Sequence, residues 1–272
     1  EIKVWDYAGP LSSKDDGCVV YAAGQVSEYR GSLQAVCSTL MVKEDINELD
    51  PKELQRIVKI APIDVGSYVA YIEKVLDTIQ DEEYAKLGRT LFERHKEALM
   101  NIPAGRSVHH SFLHGLLMHT VNMLRMATLA AKLYAPVINY DLLLVGTLLH
   151  DLGKEIEFEI SPLGLVKDYS TKGILMGHLV LGAAEVRDVA RELNISDEKS
   201  MLVQHMLLSH HGQPEFGAAV YPCCAEAELL CLLDMLDSRM EICAEKLDGV
   251  EPGTFTDRLY TLGGTQRLYQ HS

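Results

Sequence analysis

Apolar positions change their period once along this chain, near residue 50. Before it they fall in short strand-like runs: Ile2, Val4 and Trp5 open one, residues 18–26 form a second after Gly17, and residues 33–42 form a third. The turn signal Tyr29-Arg30-Gly31-Ser32 separates the last two. Three strands do not close a barrel, so this stretch reads as the later part of a small β-barrel whose first strands are absent. From Asp50 the spacing becomes helical. Asp50-Pro51 places an N-cap before a proline at the first helical position, and Leu54, Ile57, Val58 and Ala61 follow on one face. A second helix is expected over residues 67–80, with Val69, Ile72, Val75 and Leu76 on one side. A third is expected over 81–100, its first turn acidic, where the helix dipole favours negative charge. These helices read as a connector and a buttress.

Pro103-Ala104-Gly105 breaks the third helix. Five more are expected beyond it, over residues 112–134, 139–150 with Asn139 as N-cap, 174–193, 197–210 and 226–247. An irregular segment with Pro162, Gly164 and Gly173 precedes the helix at 174. A loop with Gly212, Pro214, Gly217 and Pro222 precedes the helix at 226. The tail from Gly249 carries Thr254, Arg258, Tyr260, Gly263 and Gly264 with no clear period. The pattern predicts a mainly α protein, a helical bundle with a small, incomplete N-terminal β segment.

Composition narrows the class. With 272 residues, 47% of them apolar, the chain is long and greasy enough for a real core. No apolar run approaches the length that crosses a bilayer, and no secretory leader is visible, so no membrane partner is expected. The cysteines, at positions 18, 37, 223, 224, 231 and 243, form no CxxC pair, and adjacent Cys223 and Cys224 are poorly placed for a disulfide. They read as reduced thiols of a cytoplasmic protein. The formal charge of −14 argues against a generic nucleic-acid coat, which needs a basic surface. It still permits an enzyme that holds one strand end at a metal site, where bound cations offset acidic charge locally.

The chemistry lies in the residues that interrupt the apolar helices. His119 follows Leu116-Leu117-Met118, and His178 lies between Met176 and Leu179 after Gly177. Leu148-Leu149 runs into His150-Asp151, with Lys154 three residues on; His210-His211 ends another helix, and Asp234 lies between Leu233 and Met235. One such histidine is ordinarily a hydrogen-bonded core residue. Seven ionisable groups, one or two per helix, want a common partner, because burying them uncompensated is expensive. Imidazoles mixed with carboxylates, without cysteine, suit Mn, Fe, Co, Ni or Zn rather than Ca; a structural zinc would more often use cysteines. His119, His150 and Asp234 are expected to hold one ion together with Asp151. His178, His210 and His211 are expected to hold a second, with Asp151 bridging the two. Two ions about 3.5–4 Å apart trap a hydroxide and polarise a phosphoryl oxygen, the arrangement that hydrolyses phosphodiesters.

Lys154 either neutralises a phosphate oxygen in the transition state or complements a helix dipole at the surface. Asp237 shares the face of Asp234, where it orients a ligand, holds a water or pairs with Arg239. His109 and His110 precede the first ligand helix and are candidates to reach the scissile phosphate. Ser209 donates to a phosphate or caps its helix, and His205 reads as a packed core histidine.

The order His119, then His150-Asp151, then later histidine and aspartate resembles the HD superfamily of metal-dependent phosphohydrolases. More closely, the chain resembles the YhaM family of 3′→5′ exoribonucleases. The matching stretches are His109-His110-Ser111-Phe112, Gly115-Leu116-Leu117-Met118-His119, Leu149-His150-Asp151-Leu152-Gly153-Lys154, Gly177-His178 and Leu208-Ser209-His210-His211-Gly212. Leu233-Asp234-Met235-Leu236-Asp237 and Gly253-Thr254-Phe255-Thr256-Asp257-Arg258 complete the series.

The resemblance implies a helical HD hydrolase domain behind an OB-type barrel, with the chain divided at residues 1–49 (partial barrel), 50–104 (helical connector), 105–248 (HD domain) and 249–272 (tail). It implies removal of nucleotides from the 3′ end of single-stranded RNA, usually with manganese, and it adds Arg258 to the substrate contacts. Such a barrel binds single strands by stacking and backbone contacts; Trp5, Tyr21, Tyr29 and Arg30 are its candidates, with hydrophobic core as the other role for Trp5 and Tyr21. Gly115 cannot supply the extra glutamate ligand of the HD-GYP cyclic-dinucleotide enzymes, and Gly212-Gln213-Pro214 is not their signature. A third metal and a cyclic-dinucleotide substrate are therefore disfavoured. The alternatives kept open are an HD-type phosphohydrolase acting on a nucleotide or other small phosphoester, single-stranded DNA as substrate, and assembly into a homo-oligomer.

Overall fold

In the computed structural model, which describes residues 2–3, 18–29, 32–42, 56–106, 110–161, 163–262, 264 and 266–272, the chain begins with a small sheet. Strand β1 (Ile2–Lys3) runs parallel to β3 (Ser32–Val42), and β2 (Val20–Tyr29) pairs antiparallel with β3, giving the order β1-β3-β2. The ladder runs from Val20 opposite Val42 to Tyr29 opposite Ser32. Trp5 and Arg30 lie outside the described residues. Tyr21 is exposed on β2 and is not core.

The cap predicted at Asn139 is in place, and further caps locate the other helices. Of the first predicted helix, Asp50, Pro51 and Leu54 lie outside the described residues; Arg56 and Ile57 are helical, but the helix does not continue to Ala61. Ile60 instead bridges to Leu113. Helix α1 (Val65–Leu76) is capped by Asp64, which accepts from the Ser67 amide at 2.8 Å. It stops short of residue 80. Helix α2 (Glu82–Asn101) is capped by Asp81, which accepts from the amides of Glu83 and Tyr84. Helix α3 (Gly115–Leu133) begins later than the expected residue 112, because His114 is left-handed with φ 63° and cannot belong to a right-handed helix.

Helix α4 (Tyr140–Leu149) is capped by Asn139, and residues 142–149 are all buried. A helix apolar on every side must be central, and α4 packs against α2, α3 and two later helices, α7 (Asp197–Ser209) and α8 (Ala225–Leu247). The segment expected to be irregular is in fact ordered. It holds the short helix α5 (Lys154–Glu157) and a hairpin of β4 (Phe158–Ile160) and β5 (Val166–Tyr169). Phe158 packs edge-on against Tyr169, their ring centroids 5.5 Å apart, so a few local contacts replace the missing period. Helix α6 (Thr171–Leu193) is capped by Ser170 and kinked at Gly177, whose φ 70° and ψ 159° suit only glycine. Single 3-10 turns lie at Pro214–Phe216 and Tyr260–Leu262. Among the described residues, no helix is long and apolar enough to cross a membrane.

Candidate metal centre

The carboxyl end of α4 delivers His150 and Asp151 to the middle of the bundle, where four other helices meet them. His119 comes from α3, His178 from α6 just after its kink, His210 and His211 from the end of α7, and Asp234 and Asp237 from α8. His119, His150, His210 and Asp151 are almost completely buried. Close approach of α6 depends on Gly153, where a β-carbon would lie 2.1 Å from the His178 carbonyl oxygen.

Four imidazoles have their Nδ1 atoms engaged and their Nε2 atoms turned toward Asp151 or its neighbours. Nδ1 of His150 donates to the Thr147 carbonyl and Nδ1 of His210 to the Leu207 carbonyl, both at 2.8 Å. Nδ1 of His119 lies 2.7 Å from Asp237, and that of His178 lies 3.0 Å from Glu157. A carbonyl or carboxylate acceptor on Nδ1 keeps the proton there and leaves the Nε2 lone pair facing inward, the tautomer a metal ligand uses.

Asp151 stands between two groups of donors. Its Oδ2 is 3.3 Å from His150 Nε2 and 3.6 Å from His119 Nε2; its Oδ1 is 3.6 Å from His178 Nε2 and 3.8 Å from His210 Nε2. His119 Nε2 also lies 3.1 Å from His150 Nε2 and 3.3 Å from Asp234 Oδ1. The donor atoms of His119, His150 and Asp151 all fall within 4.8 Å of one another, as do those of His178, His210 and His211. Donors sharing one ion at bonds of roughly 2.1 Å stand about 3.0–3.4 Å apart; the separations of His119 Nε2 from His150 and Asp234, 3.1 and 3.3 Å, match that range, and Asp151 at 3.6 Å lies just beyond it.

A second observation tests the fit. Asp151 Oδ1, His178 Nε2 and His211 Nδ1 are buried with no hydrogen-bond partner among the described residues. Unsatisfied buried polar atoms are costly, and these three belong to the donor set itself. Both the spacing and the orphaned atoms suit a divalent cation.

Electrostatics favours anionic carboxylates and a neutral His210. Burial would raise Asp151, but the Lys154 ammonium, 2.7 Å away, and the His150 imidazole overwhelm it and hold the carboxyl well below its ordinary range. Asp234 and Asp237 are likewise held down against burial, Asp234 by His119, Asp237 by His110 and His119. Burial opposes a proton on His119, yet Asp234 and Asp237 outweigh it and push its pKa up to about 9. His210 is driven far down by burial and by neighbouring His150 and His211, and burial also lowers His211. Around His119 the carboxylates thus favour positive charge, a proton on Nε2 that a cation would displace, while His210 presents its lone pair directly.

The seven side chains singled out as ligands thus come together; several neighbours differ from expectation. Lys154 is buried and its ammonium rests on Asp151 Oδ2; it is not a surface lysine. Asp237 does not pair with Arg239. It holds His119 Nδ1 on one side and His110 Nε2, at 2.8 Å, on the other. His110 is consequently buried against His119, their ring centroids 5.3 Å apart, and His109 lies outside the described residues. Ser209 is fully buried and its hydroxyl donates to the His205 carbonyl at 2.7 Å, so it cannot serve a phosphate. His205 is half-buried, not core, and its Nε2 accepts from the Cys223 amide. Arg258 is exposed and does not line the opening beside the cluster. Arg239 does, with one N–H directed at the Leu262 carbonyl.

Two features escaped the sequence. Glu157 is buried and binds both the backbone amide and Nδ1 of His178; nothing in Glu155-Ile156-Glu157-Phe158 marks one acid over the other. Phe216, in the loop before α8, also lines the opening, and an isolated aromatic in a loop carries no periodic signal.

Comparison with known proteins agrees with this arrangement. The HD domain family matches residues 116–239. The chain is 33% identical over 267 residues to the 3'-5' exoribonuclease YhaM of Geobacillus sp. (strain WCH70), covering 96% of this chain and 79% of that protein. It is 32% identical over 267 residues to the 3'-5' exoribonuclease YhaM of Shouchella clausii (strain KSM-K16), covering 96% of this chain and 80% of the relative. No solved structure matches the chain.

Proposed function

The chain belongs to the YhaM-type family of HD-domain proteins, and from that premise we propose that it is a divalent-metal-dependent 3′→5′ exoribonuclease acting on single-stranded RNA. The observation that carries the chemistry is Asp151, whose two oxygens face two separate histidine groups in a buried site. His119, His150, Asp151 and Asp234 would hold one ion, and His178, His210 and His211, with the other oxygen of Asp151, a second. When bound, such ions polarise a phosphoryl oxygen and activate water for attack on phosphorus. Manganese fits the imidazole–carboxylate set, with Fe, Co, Ni or Zn as its competitors.

The protein's own groups prepare that site. Lys154 keeps Asp151 ionised and fixes its Oδ2. Asp237 and Glu157 lock the ring planes and tautomers of His119 and His178, so that neither must reorganise when substrate arrives. The bundle around α4 keeps the floor of the site dry, which strengthens each electrostatic contact. Hydrolysis at the bond to the last nucleotide would release a nucleoside 5′-monophosphate and leave a shortened strand ending in a 3′-hydroxyl.

Residues 1–49 would form an OB-like module contributing to strand capture, with Tyr21 exposed on its surface. The free cysteines fit a reducing cytoplasm.

The test is a 5′-labelled single-stranded RNA incubated with the protein and manganese. A ladder shortening from the 3′ end, abolished by EDTA, is the expected result. Asp151→Asn should cut the rate roughly a thousandfold, equivalent to ~4 kcal/mol of transition-state stabilisation, and should lower bound metal. Intact RNA alongside hydrolysis of a mononucleotide would replace this reading with a small-phosphoester hydrolase.

A further inference from the structure

Beside the cluster lies a cleft of about 410 Å³, within the size range of small-ligand sites. Its inner end is formed by His210, His211 and Asp234, and its walls include Phe216, Met235, Arg239 and Thr261. We propose that this cleft is the subsite for the 3′-terminal nucleotide, with the Phe216 ring stacking on the base and the Arg239 guanidinium contacting a phosphate; the proposal rests on the exoribonuclease reading.

Phe216 is the unusual element. Three of the five phenylalanines, Phe92, Phe112 and Phe158, are buried, and Phe255 packs on Tyr269 and Arg267. Phe216 is 65% exposed and makes no ring or cation contact among the described residues. Its position is nevertheless set. The Gln213–Ala219 backbone is tied by hydrogen bonds from Phe216 N to Gln213 O and from Gly217 N to Pro214 O, and Ala219 N reaches back to Leu208 O on α7. Gly217, left-handed at φ 97°, brings this turn so close that a β-carbon there would lie 3.4 Å from His211 Nδ1. The aromatic ring is thus presented on a fixed turn directly beside a candidate metal ligand.

Arg239 is anchored in a similar way. One of its N–H groups points to the Leu262 carbonyl at 3.3 Å, tying α8 to the Tyr260–Leu262 turn at the cleft. A guanidinium has five N–H donors, so this anchor leaves a fork available for phosphate oxygens. The cation also matters because the protein as a whole is strongly acidic, and a polyanion would otherwise be repelled.

The same walls predict tolerance of base identity. Among the described residues no asparagine or glutamine lines the cleft, the Ser238 hydroxyl is committed to the Met235 carbonyl, and Thr261 is the one other hydroxyl in its walls. Reading base edges needs such donors and acceptors, whereas stacking uses the π-face common to all bases. A nuclease that must remove every nucleotide in turn is served by that chemistry.

The experiment measures two things on the wild type, Phe216→Ala, Phe216→Trp, Arg239→Ala and Arg239→Lys: AMP binding by calorimetry, and KM and kcat on 5′-labelled single-stranded RNA. Phe216→Ala is expected to weaken AMP binding and raise KM about tenfold, with the loss falling on KM more than on kcat. Phe216→Trp should restore both. Arg239→Ala should raise KM by a similar factor and flatten its salt dependence, with Arg239→Lys recovering part of the loss. If the wild type shortens RNA from the 3′ end but Phe216→Ala and Arg239→Ala leave AMP binding and KM unchanged, the subsite is wrong and the exoribonuclease reading stands. If the wild type leaves RNA intact yet AMP binding still depends on Phe216, the subsite stands and the exoribonuclease reading fails. A wild type that neither binds AMP nor shortens RNA overturns both.

Discussion

His119 and His178 occupy equivalent places on two sides of Asp151, yet their surroundings differ. Each has its Nδ1 held by a carboxylate and its Nε2 aimed inward. His119 is wholly buried near the start of a long, regular helix, and its Nε2 has Asp234 and His150 within 3.3 Å. His178 follows a backbone kink and is slightly exposed, and its Nε2 has no hydrogen-bond partner among the described residues. The support behind them differs as well. Asp237 sits on α8, one of the longest helices, and binds two histidines. Glu157 ends a four-residue helix that leads straight into a hairpin. One side of the centre is therefore built into the bundle core. On the other, a long but kinked helix is supported by the short α5 and its hairpin, and the geometry depends on how closely those short pieces dock against it.

That contrast can be broken most severely at Gly153. The α5 turn reaches α6 only because no side chain intervenes, so Gly153→Ala must push α6 and His178 outward. We expect a loss of about 3 kcal/mol, or roughly 6–12 °C in Tm, measurable by thermal unfolding, while Gly88→Ala, whose β-carbon would meet only side-chain methyl groups, should cost less. Equal shifts in the two variants would remove the docking argument.

Substituting the two supporting carboxylates sharpens the comparison. Loss of an outer partner of a metal-bound histidine ordinarily weakens metal affinity by about 10–100-fold. Asp237→Asn should lie near the upper end, because one carboxylate serves both His110 and His119. Glu157→Gln should lie near the lower end, since the glutamine oxygen can still accept from the His178 amide. Manganese titration of both variants gives the ranking; a larger loss in Glu157→Gln would invert the assignment of the rigid side.

The smallest effect concerns His95 on α2, which bridges Glu155 of α5 and Glu185 of α6 and so braces the His178 side. Burial lowers its pKa, but the two glutamates outweigh that and push it up to about 9. A pKa raised above the unfolded value contributes stability that is fully present below about pH 6.5 and is lost as pH rises through about 9. After partial screening by solvent, the loss across that window should be about 1–2 kcal/mol. Tm measured from pH 6 to 10 should fall less steeply in His95→Gln than in the wild type, and identical slopes would argue against the brace.

Much of the candidate centre was legible because its members interrupt apolar periodicity. His119, His150, Asp151, His178, His210, His211 and Asp234 stand out as ionisable groups inside greasy helices, and that anomaly survives without any coordinates. The roles of their neighbours were not legible. Asp237 looks equally able to pair with Arg239 or to orient a ligand, since both lie within reach along one helix; only packing of α3 against α8 selects His119. Ser209 beside His210 looks like a donor until its hydroxyl is found turned back on its own helix. The stretch after Asp151 reads as irregular because a four-residue helix and two short strands are too brief to establish a period.

The amino-acid sequence by itself determined the mainly helical class, the cap at Asn139 and the chemical types of the donor set. Those features depend on near neighbours along the chain: spacing, capping and the cost of burying charge. Tertiary structure alone decided that Asp151 faces two groups of histidines, that Asp237 and Glu157 fix His119 and His178, and that Phe216 and Arg239 meet at one cleft. Each of these joins residues from different elements, and their meeting depends on interhelical distances of a few ångströms that no local pattern encodes.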